Sequence, residues 1–376
     1  ENRSSITPRR LLFILPSLAA GGAERVCLLL MAELRKKGHK VTLLLLRDEG
    51  EYHDELPQGM RTRTILRPGQ RVRHHWYRVL QAIASEARGH DILVGALEGG
   101  ATYLAYLVSR LVDKPCIGWI HTSLELYARE YWGIADRHLA HWCYLRMDRV
   151  VFVSEGARAS LVKLLGEVVP GSWRVIYNPL GKRFFAKTES MPKEQGVPLV
   201  LGVGRLDANH KGFDVLIKAH ALLRRQGLQQ RLVIVGDGPD RELLERLARR
   251  EGVTESVHLP GFVKEVTGWY AEADLFVLSS RLEGLPMVLL EALAQGVPIV
   301  ATDCESGPRE ILADGQYGRL VPVDDEAALA SAMKLLLIDR EASQRLSTLG
   351  PKRASEFLPG RIVGEWERLF AELAAG

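Results

Sequence analysis

Two glutamates in the second half of the chain, Glu283 and Glu291, are placed where carboxylates bind hydroxyl groups. Glu283 lies in a loop, and Glu291 lies more than one turn into the apolar helix that follows. Carboxylates in these two places accept hydrogen bonds from two sets of hydroxyls, for which a sugar and a ribose are natural candidates. The alternative for Glu291 is an ion pair with a neighbour, because its apolar flanks argue against an unpaired, solvated side chain.

The turn between these glutamates has the composition of an anion site. Gly284 lets the backbone approach a ligand closely, and Pro286 suits the first position of a helix predicted over residues 286–295. Unpaired amides at the beginning of such a helix favour negative charge.

Two cations, Arg205 and Lys211, flank a loop that follows a predicted strand. Loops at the carboxyl ends of strands are where doubly wound sheets bind ligands. Arg binds phosphate through two parallel hydrogen bonds and Lys acts as a point charge, so the pair suits a diphosphate. A surface salt bridge is the alternative for either residue alone.

In the first half, Gly21 and Gly22 stand between a strand and a helix. Glycines there allow close approach of a ligand to the backbone, and the helix N-terminus favours an anion. Such turns are also ordinary connections in α/β proteins.

The alternation of short apolar strands with amphipathic helices predicts an α/β protein with two doubly wound parallel sheets. The predicted strands of the first half are residues 11–15, 41–46, 92–95, 116–120, 150–153 and 175–176. Those of the second half are residues 198–203, 231–235, 257–259, 275–278 and 298–301. We predict an N-terminal domain over 1–180, a linker over 181–197 that contains the polar stretch 187–196, a second domain over 198–357, and a helix over 358–376 that packs back on the first domain.

The composition is typical of a soluble globular protein of 376 residues, a length that favours two domains. No apolar run approaches the ~18 residues of a membrane-spanning helix. The four cysteines are widely spaced, which favours buried thiols in a reducing cytosol over a zinc site or a disulfide framework. No secretory signal pattern is seen, although numbering from Glu1 leaves open whether a leader precedes it.

Residues 56–85 contain no acidic residue and are rich in arginine. The basic and aromatic residues of this segment are Arg61, Arg63, Arg67, Arg71, Arg73, His74, His75, Trp76, Tyr77 and Arg78. This composition suits the anionic inner surface of the cell membrane, with a solvated loop and helix face as the alternative. No nucleic-acid-binding motif accompanies the charge, so we expect no nucleic acid partner.

The string EGLPMVLLEALAQGVPIVAT resembles the Glu-x7-Glu motif of family-4 retaining glycosyltransferases with the GT-B fold. RLDANHKG, IVGDGP, LPGFV and SGPREIL support the resemblance in the second half, and LPSLAAGGAERV and VVFVSEGAR in the first. The resemblance implies two Rossmann-like domains that face a central cleft. It also implies an enzyme of bacterial polysaccharide, lipopolysaccharide or lipid-linked oligosaccharide synthesis.

Transferred to the matching positions, the family's roles place the donor diphosphate on Arg205 and Lys211. They also imply that Glu291 binds the ribose and that Glu283 binds the transferred sugar. Four residues would contact the sugar and the phosphate through their backbone: Gly284, Leu285, Pro286 and Met287.

Further implied contacts are those of the base with the backbone near Val263, and of the diphosphate and acceptor with Gly21 and Gly22. His121 stands where such enzymes often place a histidine beside the reacting sugar, and we expect it in the catalytic set with Glu283, Arg205 and Lys211. A strand-end histidine bonded to the backbone is the alternative for His121.

Three other functions compete with sugar transfer. A dehydrogenase is disfavoured, because the segments at Gly202 and Gly236 lack the third glycine of the dinucleotide-binding motif. A non-hydrolysing sugar-nucleotide 2-epimerase shares the architecture but leaves the basic segment unexplained. A catalytically silent nucleotide-sugar-binding subunit is disfavoured by the intact set of charged residues.

The chemistry expected is metal-independent and uses no cofactor, with the nucleotide sugar as a co-substrate. No Asp-x-Asp triplet is present to hold a metal. We expect a UDP-sugar, either a hexose or an N-acetylhexosamine, with GDP-mannose as the alternative donor. A glycan or a polyprenyl-diphosphate-linked sugar at the cytoplasmic membrane face is the expected acceptor.

Overall fold

The computed structural model describes residues 7–19, 21–166, 170–186 and 196–375. Contacts divide the chain into two units. Unit 1 comprises Glu1–Pro179 and Pro359–Gly376, and unit 2 comprises Leu180–Leu358. Most of the predicted linker stretch, residues 187–195, lies outside the described residues.

Unit 1 is built on a seven-stranded parallel sheet in the order β3-β2-β1-β4-β5-β6-β7. Its strands are β1 (Arg10–Leu15), β2 (Lys40–Arg47), β3 (Arg61–Leu66), β4 (Ile92–Gly95), β5 (Cys116–Ile120), β6 (Arg149–Phe152) and β7 (Trp173–Val175). Its helices in the first part of the chain are α1 (Gly22–Lys36), α2 (Trp76–Ala87), α3 (Gly100–Val112), α4 (Leu124–Tyr131), α5 (Ile134–Tyr144) and α6 (Glu155–Leu165).

Unit 2 is built on a six-stranded parallel sheet in the order β10-β9-β8-β11-β12-β13. Its strands are β8 (Leu199–Val203), β9 (Arg231–Val235), β10 (Val257–Gly261), β11 (Leu275–Leu278), β12 (Ile299–Thr302) and β13 (Arg319–Val321). Its helices are α7 (Ala208–Lys211), α8 (Phe213–Arg225), α9 (Arg241–Arg250), α10 (Thr267–Glu272), α11 (Met287–Ala294), α12 (Pro308–Ile311), α13 (Glu326–Ile338) and α14 (Arg340–Ser355). Two Rossmann-like sheets confirm the predicted fold class.

The last helix, α15 (Pro359–Ala375), belongs to unit 1 and packs against α1. Trp366 is fully buried, with its ring 4.9 Å from that of Trp119 on β5. Burial of such large aromatic side chains gives this helix its stabilising contacts. The four cysteines are buried free thiols, as predicted. Among the described residues, no helix is both long and apolar enough to cross a membrane.

Two strands, β3 and β13, were not predicted. The alternative given for the basic segment, a solvated loop and helix face, does not hold over β3, which is the edge strand of the first sheet. Arg61 and Arg63 alternate with Thr62 and Thr64 there, and both arginines pair with the buried Glu86 on α2, at 3.0 and 2.8 Å. Ion pairs to a helix thus compensate for the weak apolar pattern of this strand.

The glycine after β9 holds two strand ends close together. Gly236 has a φ of +143°, and a Cβ atom at this position would overlap the carbonyl oxygen of Gly204 after β8. Both the backbone conformation and the close approach therefore require glycine.

We expect Gly236→Ala to lower the free energy of unfolding by about 2–4 kcal/mol, because strain and overlap add. The control is Gly364→Ala in α15, where a Cβ atom would meet no other atom within 4 Å. Thermal unfolding followed by circular dichroism measures both variants. Equal midpoints for Gly236→Ala and the wild type would contradict the assignment.

Candidate functional site

Unit 2 places its candidate residues at the point where the winding of the sheet reverses. From β8 the chain proceeds to β9 and β10 on one side, whereas β11 leads to β12 and β13 on the other. The carboxyl ends of two such neighbouring strands, here β8 and β11, are where open α/β sheets bind ligands. The loop 204–212 follows β8 and the loop 279–286 follows β11, so both flank this point.

An ion pair joins the two loops. Lys211 Nζ lies 2.6 Å from Glu283 Oε1, and Ser280 Oγ donates a hydrogen bond to the same oxygen at 2.6 Å. Glu283 is only 9% exposed, so the pair is largely shielded from water. A shielded carboxylate held by a lysine and a hydroxyl keeps a fixed position, from which it can accept a hydrogen bond from a ligand.

Glycine brings these loops into backbone contact. Gly212 has a φ of +59°, and a Cβ atom there would overlap the carbonyl oxygen of Ser279. Ser279 Oγ also donates a hydrogen bond to the carbonyl oxygen of Lys211 at 2.9 Å. The position of Lys211 is therefore fixed by the loop it faces.

Arg281 is a further positioning residue that the sequence analysis did not identify. Its guanidinium pairs with Asp214 on α8 at 2.9 Å and with Asp324 at 2.6 Å, and it also contacts the carbonyl oxygen of Ala208. The hydrogen bond to Asp214 raises the pKa of Arg281. The charge alone gave no signal, because Asp214 and Asp324 are distant in sequence.

Glu291 lies on α11 and accepts a hydrogen bond from Tyr270 Oη at 2.8 Å. Tyr270 is 1% exposed, so the carboxylate is held from the buried side by a hydroxyl donor. The expectation that Pro286 is the first helical residue was wrong: α11 begins at Met287, and Pro286 precedes it with ψ at 98°. The helix N-terminus still faces the loop that holds Glu283.

The remaining candidates of unit 2 lie along the same edge of the sheet. Arg205 is exposed directly after β8, and Val263 is half-buried just beyond β10. Leu285 and Pro286 are buried and Met287 is half-buried. The carbonyl oxygen of Gly284 accepts a hydrogen bond from Ser306 Oγ at 2.7 Å, which fixes the turn.

Unit 1 has its own winding reversal, between β1 and β4. Gly21 precedes α1 and Gly22 is its first residue. A Cβ atom on Gly21 would overlap the Glu24 carboxylate, which folds back over the start of the helix, whereas a Cβ atom on Gly22 would meet nothing within 4 Å. Gly22 is therefore the open position of this turn.

His121 follows β5 at the same edge. Its backbone N–H donates to Glu98 Oε2 at 3.0 Å, and its Nε2 lies 3.9 Å from Cys27 Sγ. Burial lowers the pKa of His121 to about 3, and a backbone hydrogen bond at Ala96 raises it in part. His121 is therefore neutral at physiological pH. Its Nδ1 is buried without a hydrogen-bond partner among the described residues.

Two carboxylates of unit 1, Glu24 and Glu98, belong to this edge and were not predicted as site residues. Burial raises the pKa of Glu24 to about 7, a hydrogen bond from its own backbone amide lowers it in part, and Glu98 raises it. Burial also raises the pKa of Glu98, against the hydrogen bond from His121. Groups whose pKa is strongly shifted are typical of functional sites. The available signals were the place of Glu24 in the first helical turn and that of Glu98 just after a strand.

Among the described residues, no group of three or more His, Cys, Asp and Glu side chains is arranged to hold a metal ion. Unit 2 offers carboxylates that can accept hydrogen bonds from hydroxyls and cations that can bind anions. Unit 1 offers a neutral imidazole beside two carboxyl groups of raised pKa.

Comparisons with known proteins agree with this architecture. Residues 20–180 match the family described as Glycosyltransferase Family 4, and residues 197–339 match Glycosyl transferases group 1. The structure of Anabaena Alr3699/HepE in complex with UDP superposes with a TM-score of 0.83 at 20% identity, over 96% of this chain and 100% of that chain. This likeness shows the GT-B fold.

Two curated relatives are enzymes that transfer sugars. Alpha-D-kanosaminyltransferase of Streptomyces kanamyceticus is 30% identical over 264 residues, which are 66% of this chain and 68% of the relative. The GalNAc-alpha-(1->4)-GalNAc-alpha-(1->3)-diNAcBac-PP-undecaprenol alpha-1,4-N-acetyl-D-galactosaminyltransferase of Campylobacter jejuni is 26% identical over 371 residues, 96% of this chain and 98% of the relative. With both halves matched and the fold in agreement, the chain belongs to glycosyltransferase family 4, a family of retaining hexosyltransferases with the GT-B fold.

Proposed function

We propose that this enzyme transfers a hexose or an N-acetylhexosamine from a UDP-linked donor to a hydroxyl of a glycan or lipid-linked glycan. The observation that carries the donor part is the arrangement at the winding reversal of unit 2. Lys211, at the end of α7 after β8, and Glu283, in the loop after β11, are in contact there, and Glu291 lies on the helix that follows this loop.

Lys211 and the exposed Arg205 bind the donor diphosphate in this proposal. The lysine is held by Glu283, so it carries a fixed charge, while the arginine can approach a phosphate with two parallel donors. Glu291, oriented by Tyr270, accepts hydrogen bonds from the ribose, and Glu283 accepts one from the sugar. The turn from Gly284 to Met287 contacts sugar and phosphate through its backbone, and the segment at Val263 meets the base.

The reaction depends on positioning and on stabilising the departing diphosphate. The bond between the anomeric carbon and the donor phosphate oxygen breaks while the acceptor oxygen bonds to that carbon on the same face. The proton of the acceptor hydroxyl passes to the departing diphosphate. The cations of unit 2 stabilise the negative charge that develops on the leaving group, and they do so without a metal ion in our proposal. His121 is neutral, so it acts by hydrogen bonding to the substrates rather than by charge.

UDP is the nucleotide that the comparisons favour. The solved HepE structure contains UDP, and it resembles this chain over nearly its whole length. A lipid-linked acceptor is favoured by the Campylobacter relative, whose name describes a glycan on diphospho-undecaprenol. We also propose that the reaction takes place at the cytoplasmic face of the membrane, which the basic segment over residues 61–78 and the free cysteines support.

Calorimetric titration with UDP and with GDP, each in buffer that contains EDTA, tests the donor assignment. We expect the protein to bind UDP and not GDP.

We expect Glu291→Gln to weaken UDP binding about tenfold, because a hydrogen bond to a charged acceptor is replaced by one to a neutral acceptor. Glu242→Gln, at an exposed position on α9, is the control. The UDP proposal would be refuted if the protein bound GDP more tightly than UDP, or if it bound neither nucleotide.

Gly22→Ala tests whether a substrate contacts the beginning of α1. The added methyl group meets no protein atom, so we expect the melting temperature to stay the same or rise slightly. We expect kcat/KM to fall about tenfold or more, because a displacement of reacting groups by ~1 Å has effects of this size. Gly364→Ala is again the control. Full activity of Gly22→Ala would show that no substrate lies against this position.

The pKa of Glu24 predicts a pH dependence. An anionic substrate group at the start of α1 favours the protonated carboxyl, so binding weakens as pH rises through about 7. We expect kcat/KM to fall above this pH in the wild type and to fall less in Glu24→Gln. The control is Glu33→Gln, further along the same helix. Identical pH profiles for the wild type and Glu24→Gln would exclude Glu24 as the titrating group.

A further inference from the structure

Among the side chains that the structure describes, the exposed large apolar ones of unit 1 lie on three helices. Among the described residues they are Trp76 (57% exposed), Tyr77 (61%), Leu107 (36%), Leu111 (74%), Leu139 (39%) and Trp142 (40%). The first two lie on α2, the next two on α3 and the last two on α5. Scattered single exposures are normal in soluble domains, but a restriction to three neighbouring helices marks an interaction surface.

These three helices form one layer on one face of the sheet. Helices α2, α3 and α5 connect β3 to β4, β4 to β5 and β5 to β6, and each of these connections moves across the sheet towards β7. The connection from β1 to β2 through α1 moves towards β3, which is the opposite direction. Because such crossovers are right-handed, the three helices share a face and α1 lies on the other. Contacts of α2 with α3 and of α3 with α5 confirm the order of the layer.

Arginines lie directly beside the aromatic rings of this layer. The rings of Tyr106 on α3 and Trp142 on α5 meet edge to face at 5.2 Å. The Arg110 guanidinium lies 5.6 Å from the centre of the Tyr106 ring, and the Arg146 guanidinium 6.0 Å from that of Trp142. Tyr106 is buried, whereas Trp142, Leu107 and Leu111 are exposed. Both arginines are also exposed, so apolar side chains and cations lie side by side on the outer surface.

The charge of the layer is positive. Five exposed arginines lie on or next to the three helices: Arg78, Arg88, Arg110, Arg137 and Arg146. The exposed carboxylates there are Asp113 and Asp136, and the half-buried Asp148 pairs with Arg110 at 2.5 Å. Glu86 is buried between arginines of β3, so the arginines still outnumber the carboxylates of the surface. The basic surface therefore includes α3 and α5, beyond the segment that the sequence indicated.

We propose that the outer face of α2, α3 and α5 docks on the surface of an anionic lipid bilayer. The tryptophans, leucines and tyrosine enter the boundary between headgroups and acyl chains, and the arginines bind lipid phosphates. The side-by-side arrangement of apolar and cationic side chains is complementary to that boundary, where charge and hydrocarbon lie within a few ångströms. This docking extends the proposed use of a lipid-linked acceptor, on which its biological role rests, but binding to lipid requires neither donor nor turnover.

Sedimentation of the full chain with vesicles tests the proposal. The vesicles contain phosphatidylcholine alone or phosphatidylcholine with phosphatidylglycerol. We expect binding to the anionic vesicles at low salt and weaker binding at high salt, because exposed charges are screened. No binding to anionic vesicles at low salt would overturn the proposal.

Substitutions locate the surface. One double variant carries Leu111→Ser with Trp142→Ser, and a second carries Trp76→Ser with Tyr77→Ser. We expect each to bind anionic vesicles at least about tenfold more weakly than the wild type, because it lacks large apolar side chains that would enter the bilayer. The matched control is Leu335→Ser with Ile338→Ser on α13 of unit 2, where the side chains are 41% and 58% exposed. We expect wild-type binding from this control.

Circular dichroism and UDP binding show whether each variant is folded. If one of the two unit 1 variants does not fold, the other one provides the test. Wild-type vesicle binding by both unit 1 variants, or an equal loss in the unit 2 control, would overturn the proposal. A loss of vesicle binding with UDP binding retained separates this docking surface from the proposed donor site.

Discussion

The reversal of winding in each parallel sheet is the constraint on which the proposed substrate sites depend. Helices cover both faces of such a sheet, and the loops at the carboxyl ends of the strands separate only where successive connections leave in opposite directions. Each sheet has one such point, between β1 and β4 in unit 1 and between β8 and β11 in unit 2. The candidate residues with side-chain chemistry lie in the loops or first helical turns around these points, apart from Glu291 further along α11.

The two points have different electrostatics, and the difference follows from their side chains. In unit 2, Lys211 and Arg205 provide positive charge, and the Lys211–Glu283 contact with Ser280 holds the lysine in place. In unit 1, burial disfavours charge on Glu24, Glu98 and His121 alike. A cationic edge suits a diphosphate, whereas burial at the edge of unit 1 favours the uncharged forms of its carboxyl groups and imidazole.

Close backbone contacts and the ion pairs of one arginine make the loops at the winding reversal of unit 2 rigid. Gly212 and Gly236 bring loops into contact at distances that no side chain permits, and Arg281 ties the loop after β11 to α8 through Asp214. Reacting groups must be held to within a fraction of an ångström, so this support is as necessary as the residues that touch substrate.

The sequence by itself determined the fold class, most strands and the loops that carry Arg205, Lys211 and Glu283, because apolar periodicity and glycine-rich turns are local properties. It missed β3, whose arginines are compensated by Glu86 from a distant helix. Only the tertiary structure revealed that Tyr270 orients Glu291, that Arg281 joins two elements, and that Glu24, Glu98 and His121 lie at one edge. Strand order decides which loops become neighbours, and burial by distant residues decides which groups titrate near neutrality, so neither property can be read from local sequence.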